Sequence, residues 1–209
     1  MKLFSDYRSS AAYRVRIALA LKGLAYDTVP IRLSRHEQRH DGYRAVNPQR
    51  RVPVLLLDDG NLLIQSLAII DYLDETHPSP PLLPEDPIAR AKVRAVAHII
   101  SCDIHPLNNV AVRLFLAEQF GADERAVKAW LSHWILEGLD AVNRLIEPGP
   151  YAFGEVPTVA DLCIVPQVYN ARRFHIPLSD FPRVVAVDAT ARRHPAFAKA
   201  APEAQPDAE

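Results

Sequence analysis

The chain has 209 residues, 49% hydrophobic and 23% charged, enough for one large core or two modest ones, and two is the better reading. Twenty-four Lys and Arg against 25 Asp and Glu leave a net charge of −1, which supplies no global field for nucleic acid. No apolar run reaches the roughly 18 residues that cross a bilayer, and no leader-like segment opens the chain. Cys102 and Cys163 are far apart, without CxxC or His-linked spacing, which argues against a disulfide framework or a metal site. Both cysteines read as buried, and a soluble cytoplasmic protein is expected.

Lys2-Leu3-Phe4 reads as a short strand. A helix follows from Ser10 to about Lys22, capped by serine and ended by Gly23. Its N-terminus carries partial positive charge and unpaired donors, so a hydroxyl there beside Arg8 can hold a thiolate or a carboxylate. The same residues equally serve an ordinary Ser-capped helix with a solvated arginine. Ala25 to Ile31 alternates and becomes β-branched, giving a strand, helix, strand unit. Residues 32–51 hold six arginines, His36 and His40 against Glu37 and Asp41, a short irregular helix and loop. Such a run is a solvated face or a seat for a ligand with several carboxylates.

Val52 to Leu57, the polar turn Asp58-Asp59-Gly60-Asn61 and Leu62-Leu63-Ile64 read as a hairpin, with Pro53 at its start and the Val52 backbone as an exposed pairing edge. Ser66 then caps a helix through Asp74. This order describes an α+β or mixed α/β domain over residues 1–78. Five prolines between His77 and Pro87 mark a linker at 79–87. Residues 88–209 read as all helical, kinked at Pro106, with Thr158-Val159-Ala160-Asp161 as a capping box and a loosely packed tail after Pro202.

Several separated stretches carry a resemblance together: Arg8-Ser9-Ser10 with Arg14-Val15-Arg16-Ile17-Ala18-Leu19, Asn47-Pro48 through Val52-Pro53, and Ile64-Gln65-Ser66 through Leu73. Further along they are His105-Pro106-Leu107-Asn108-Asn109, Thr158 to Leu162, and Val165 to Phe174. In their order and spacing, across nearly the whole chain, they resemble the zeta-class glutathione transferases, the family of maleylacetoacetate and glutathione-dependent maleylpyruvate isomerases. The resemblance implies a thioredoxin-like N-terminal domain followed by an all-α domain, the glutathione transferase architecture. It implies glutathione as cofactor, a small dicarboxylate as substrate, a homodimer, and a role in aromatic or tyrosine breakdown.

The implied reaction is cis–trans isomerisation of a maleyl-type diacid, maleylacetoacetate first and maleylpyruvate second, by reversible thiolate addition. The alternatives are a general conjugating transferase, an α-haloacid dehalogenase, or a non-catalytic binding module on the same fold. By resemblance Ser9, supported by Ser10, donates to the glutathione sulfur. Gln65 and Ser66 meet the γ-glutamyl end, and Val52 pairs with the cysteinyl part beside a cis-Pro53. His105, Asn109 and His40 complete the cofactor set, while Arg8 and Arg173 clamp substrate carboxylates and stabilise the enolate. One departure is Ala11, where the family often carries cysteine. That weakens any thiol-exchange activity but not isomerisation, whose thiol comes from glutathione.

Overall fold

The computed structural model describes residues 1–209. The chain divides into two units, Met1–Leu82 with Arg193–Glu209, and Leu83–Arg192. This departs from the expected division at 78 and 88, because the last helix and the residues after it belong with the sheet.

In the first unit β1 (Lys2–Ser5), α1 (Ser10–Leu21), β2 (Asp27–Pro30), α2 (Asp41–Val46), β3 (Val54–Leu56), β4 (Leu62–Ile64) and α3 (Ser66–Thr76) follow in order. The four strands form one mixed sheet in the order β2-β1-β3-β4, thioredoxin-like as expected, with β1 parallel to β2 and antiparallel to β3. Two short 3-10 turns, Leu33–Arg35 and Glu37–Arg39, precede α2. Helix α1 is buried along nearly its whole surface, with Val15, Ile17, Ala18 and Leu19 at 0% exposure. Helix α3 packs against it, and so does α10 (Pro195–Ala200). A helix wrapped in this way should be apolar all round. Arg14 and Arg16 break that rule at 1% exposure each, so their charges require partners inside the unit.

The second unit contains α4 (Pro87–His98), α5 (His105–Asn108), α6 (Val110–Phe120), α7 (Glu124–Leu145), α8 (Val159–Arg173) and α9 (Pro182–Ala191). Pro106 does not simply kink one long helix. A π-helical turn, Ile99–Ile104, runs into α5, and a separate α6 starts at Asn109. Gly138 on α7 makes room for that turn, since a Cβ there would lie 2.3 Å from Ile104 Cγ1. Helix α8 is the core of the unit, buried continuously from Val159 to Val168. The Asp161 carboxylate accepts from the N–H of Thr158 at 2.7 Å and of Ala152 at 2.8 Å, which fixes the start of α8 as the capping box anticipated.

Two expectations are corrected here. The residues after Pro202 are not loose: Pro202–Ala204 forms a turn, and Asp207 is 8% exposed. Cys102 is exposed on the π-helical turn, whose outward face carries it, while Cys163 is buried as expected.

Candidate active site

The sheet register gathers three stretches at one end. Phe4 of β1 lies opposite Val54 of β3, and Val54 lies opposite Ile64 of β4. The antiparallel pairing therefore puts the corner after β1, the residues before β3 and the residues after β4 beside one another. These are Arg8-Ser9-Ser10, Val52-Pro53 and Gln65-Ser66.

At the corner Ser9, not Ser10, is the N-cap of α1, and its Oγ accepts from the Ala12 N–H at 3.2 Å. With the oxygen engaged by the helix, the hydroxyl proton is the group left to donate outward. Ser10 is the first helical residue and is buried, and Ala11 follows on the half-buried side. Arg8 is exposed, with its guanidinium 4.8 Å from the Tyr7 ring centroid. The backbone of this corner is braced by Asp6, whose carboxylate accepts from Arg8 N at 2.9 Å and from Leu33 N at 3.0 Å.

The Val52–Pro53 peptide is cis, as the resemblance implies. Pairing in β3 begins at Val54, so the Val52 backbone groups stand outside the ladder. The loop ahead of them is tied down by Tyr43 Oη and Asn47 Nδ2, which donate to the Arg51 carbonyl at 2.8 and 2.7 Å. Burial pushes the Tyr43 hydroxyl well above its ordinary value, so it remains a donor.

The cap of α3 is Gln65 and not Ser66. Gln65 has φ 69°, a region costly for a residue with a Cβ, and its side chain donates to Gln49 Oε1 at 2.7 Å. Ser66 opens α3, buried, and its Oγ accepts from Arg14 Nη1 at 3.2 Å. A charged donor thus lies beneath a helix N-terminus, which favours an anion there. His40 is exposed at the N-cap position of α2 and makes no capping bond with its side chain.

Arg16, two residues along α1 from Arg14, serves the corner instead. It donates to the Tyr7 carbonyl at 2.9 Å, to Ser5 Oγ at 3.1 Å and to the Ala200 carbonyl at 3.0 Å. Burial draws this guanidinium down to about 10, opposed by Tyr26, Tyr13, Asp207 and Asp6, and it stays charged at neutral pH.

His105, Asn109 and Arg173 lie in the second unit. His105 begins α5, which is held to α7 by the Trp130 Nε1 bond to the Leu107 carbonyl at 2.8 Å. Asn109 caps α6, its Oδ1 accepting from Ala111 N at 2.9 Å, which leaves its amide nitrogen as the group able to reach a ligand. Arg173 lies 4.8 Å from the Phe174 ring centroid and donates to Asn170 Oδ1 at 3.2 Å. Arg113, which the sequence reading did not single out, lies 5.0 Å from the same ring. Burial, and then the charge of Arg173, lower the Arg113 guanidinium from its ordinary value. Two cationic side chains thus lie against one aromatic ring. Arg172, next in sequence to Arg173, is spent differently, on Asp188.

A serine at the start of α1, a cis-proline before β3 and a helix start after β4, in a chain that continues into a helical unit, define a glutathione transferase. The family model described as glutathione S-transferase, N-terminal domain, matches residues 3–81. Maleylacetoacetate isomerase of Pseudomonas aeruginosa is 51% identical over 209 residues, covering 99% of this chain and 98% of that protein. A solved holo structure of maleyl pyruvate isomerase, described as a bacterial zeta-class glutathione transferase, superposes with a TM-score of 0.98 at 46% identity, covering 100% of both chains. Maleylacetoacetate isomerase from Anaeromyxobacter dehalogenans, with dicarboxyethyl glutathione and citrate bound in its active site, has a TM-score of 0.89 at 40% identity, over 100% of this chain and 97% of that one. The chain belongs to the zeta-class glutathione transferases, the family of maleylacetoacetate and maleylpyruvate isomerases.

Proposed function

We propose that this protein is a glutathione-dependent cis–trans isomerase of maleyl-type diacids, with maleylacetoacetate the favoured substrate and maleylpyruvate the second. The observation that carries this is the convergence of Ser9, Val52-Pro53 and Gln65-Ser66 at one end of the sheet. The residues there fit glutathione. The start of α3, with Arg14 on Ser66, suits the γ-glutamyl carboxylate, and the Val52 backbone, outside the ladder, suits a peptide. The relative that holds dicarboxyethyl glutathione, a glutathione adduct with two carboxylates, supports a diacid as the second ligand.

Bound glutathione supplies a thiolate whose addition makes the double bond single, free to rotate until the thiolate leaves again. Ser9 donates its hydroxyl proton to the sulfur position, favouring the thiolate over a thiol of ordinary pKa near 8.5. Arg8, beside Ser9, suits a substrate carboxylate or the negative charge that develops on the conjugated carbonyl, and in the second unit Arg113 and Arg173 offer the same chemistry. Ala11 offers no thiol, so the chain has no thiol nucleophile of its own at the corner.

The same reading makes the protein a cytoplasmic homodimer in aromatic or tyrosine breakdown. Leu62 and Ile64 on β4 of the first unit are exposed at 42% and 37%, and Ile88 on α4 of the second at 70%, apolar side chains of the kind a partner covers. No helix is long and apolar enough to cross a membrane.

The test follows the loss of maleylacetoacetate and maleylpyruvate in the ultraviolet, with and without glutathione. Glutathione-dependent conversion of at least one is expected. Glutathione binding without conversion of either would move the reading to conjugation or dehalogenation. Failure to bind immobilised glutathione would leave a non-catalytic module.

A further inference from the structure

The corner Asp6-Tyr7-Arg8-Ser9 is a turn closed from within by Ser9 N on the Asp6 carbonyl at 3.0 Å and Arg8 N on Asp6 Oδ1 at 2.9 Å, and hydrogen bonds from outside it hold that turn in place on the unit. Both sides of the Tyr7 residue are taken by side chains distant in sequence. Its N–H donates to Asp207 Oδ2 at 3.2 Å, and its carbonyl accepts from Arg16 Nη2 at 2.9 Å. The Tyr7 hydroxyl donates to the Glu209 carbonyl at 3.3 Å. Arg32 anchors the same segment from the far side, reaching the Asp207 carbonyl at 3.3 Å and the Glu209 carboxylate at 2.8 Å. Gln205 Nε2 donates to the carbonyls of Lys199 and Ala201 at 3.0 and 2.9 Å, folding the segment back onto α10. Arg16 joins the two ends of the arrangement, because its Nε donates to the Ala200 carbonyl at 3.0 Å while its Nη atoms hold the corner.

We propose that the segment Ala200–Glu209 is a strap that aims the thiolate-activating serine, with Asp207 and Arg16 as its positioning residues. Neither residue touches the reacting atoms. They fix the Tyr7 backbone, and Arg8 and Ser9 follow it directly, so rotation of that turn would swing the Ser9 hydroxyl away from the sulfur and Arg8 away from the substrate. A strap that only adds stability would loosen the whole unit without changing the acidity of a bound thiol. The two possibilities therefore differ in a measurable way. The inference rests on the glutathione reading of the Ser9 corner, but not on the identity of the maleyl substrate.

Asp207→Ala removes the acceptor of the Tyr7 N–H, whereas Asp207→Asn keeps an oxygen in the same place. The measurement is the ultraviolet titration of glutathione bound to each variant, with steady-state kinetics and thermal melting alongside. For Asp207→Ala the bound thiol is expected to ionise at higher pH and kcat to fall about two- to tenfold, the loss of one hydrogen bond to a buried group. The KM for glutathione should change less than kcat, and Asp207→Asn should recover most of both losses. Deletion of residues 205–209 should reproduce the effect of Asp207→Ala. A lower melting temperature with the thiol titration and kcat unchanged overturns the proposal, and so does an Asp207→Asn variant as impaired as Asp207→Ala. The titration uses glutathione alone, so it can succeed even where isomerisation of both maleyl substrates fails.

Discussion

Arg14 Nη1 donates to Ser66 Oγ at 3.2 Å, linking the second turn of α1 to the first residue of α3 across the interior of the sheet unit. Arg14 is 1% exposed, so its charge acts through protein and not through water. If the start of α3 receives the γ-glutamyl carboxylate, Arg14→Met should raise the glutathione dissociation constant about two- to tenfold. At saturating glutathione kcat should stay within about twofold, since the sulfur is served by Ser9. Titration calorimetry with glutathione checks the first expectation and initial rates the second. A kcat defect with unchanged glutathione affinity would remove Arg14 from this role.

Ser9 combines two tasks in one hydroxyl. Its oxygen caps α1 through Ala12 N, and its proton is the group left to donate. Ser9→Ala should cost about 1 kcal/mol of stability through the lost cap. It should also reduce the thiolate fraction of bound glutathione at neutral pH and lower kcat about tenfold. Ser9→Thr keeps both functions and should keep most of the rate. An unchanged thiol titration in Ser9→Ala would shift activation to Ser10 or to backbone donors.

The local signals in the sequence identified what local physics decides. Serine at a strand-to-helix corner, the Asp58 to Asn61 turn and the Thr158–Asp161 box all stand where spacing puts them, because each is satisfied within a few residues. The corner's braces were invisible for the opposite reason. Asp207 meets Tyr7 across 200 positions and Arg16 meets Ala200 across 184, and no periodicity announces such pairs. A doubly charged helix buried all round was the available clue, since buried arginines must find acceptors. Gln65 displaced Ser66 as the cap because its positive φ turns the chain one residue earlier than residue preference suggests. Arg113 lay in an apolar stretch of α6, and only its shared ring with Arg173 reveals a charge cluster.

That cluster gives the third prediction. Arg113→Met and Arg173→Ala should each lower kcat/KM for a maleyl diacid by about ten- to a hundredfold, the loss of a charge-assisted hydrogen bond worth about 1.5–3 kcal/mol. Glutathione affinity should remain near normal in both. The double variant should lose less than the product of the two, because the arginines share Phe174 and repel each other. Full additivity in kcat/KM would show that the two act on separate groups.

Arg172 and Asp188 provide the contrast to Arg173, and a prediction with a definite pH sign. Arg172 Nη1 lies 2.5 Å from Asp188 Oδ2, Asp188 is 1% exposed, and its Oδ1 has no hydrogen-bond partner. Burial raises the Asp188 carboxyl above its ordinary value, and the Arg172 bond, the Arg172 charge and the Arg192 charge pull it partly back. A carboxyl raised in the folded state favours folding below its unfolded value, and that contribution fades as pH rises through the folded value. Arg172→Met removes the main opposing group, so the carboxyl rises further and the ionised form is left buried at neutral pH. The loss there should be about 1–3 kcal/mol, below the about 3–5 of a wholly buried pair because Arg172 is 41% exposed in its side chain. On acidification the deficit against the unaltered protein should shrink as pH falls from the variant's raised Asp188 value towards the original one, and level off below it. Denaturant unfolding across the acid range measures this, and a deficit that stays constant with pH would show that Arg172 acts by packing alone. Catalysis by the folded variant should remain near normal, in contrast to Arg173→Ala, because Arg172 is committed to Asp188 and not to substrate.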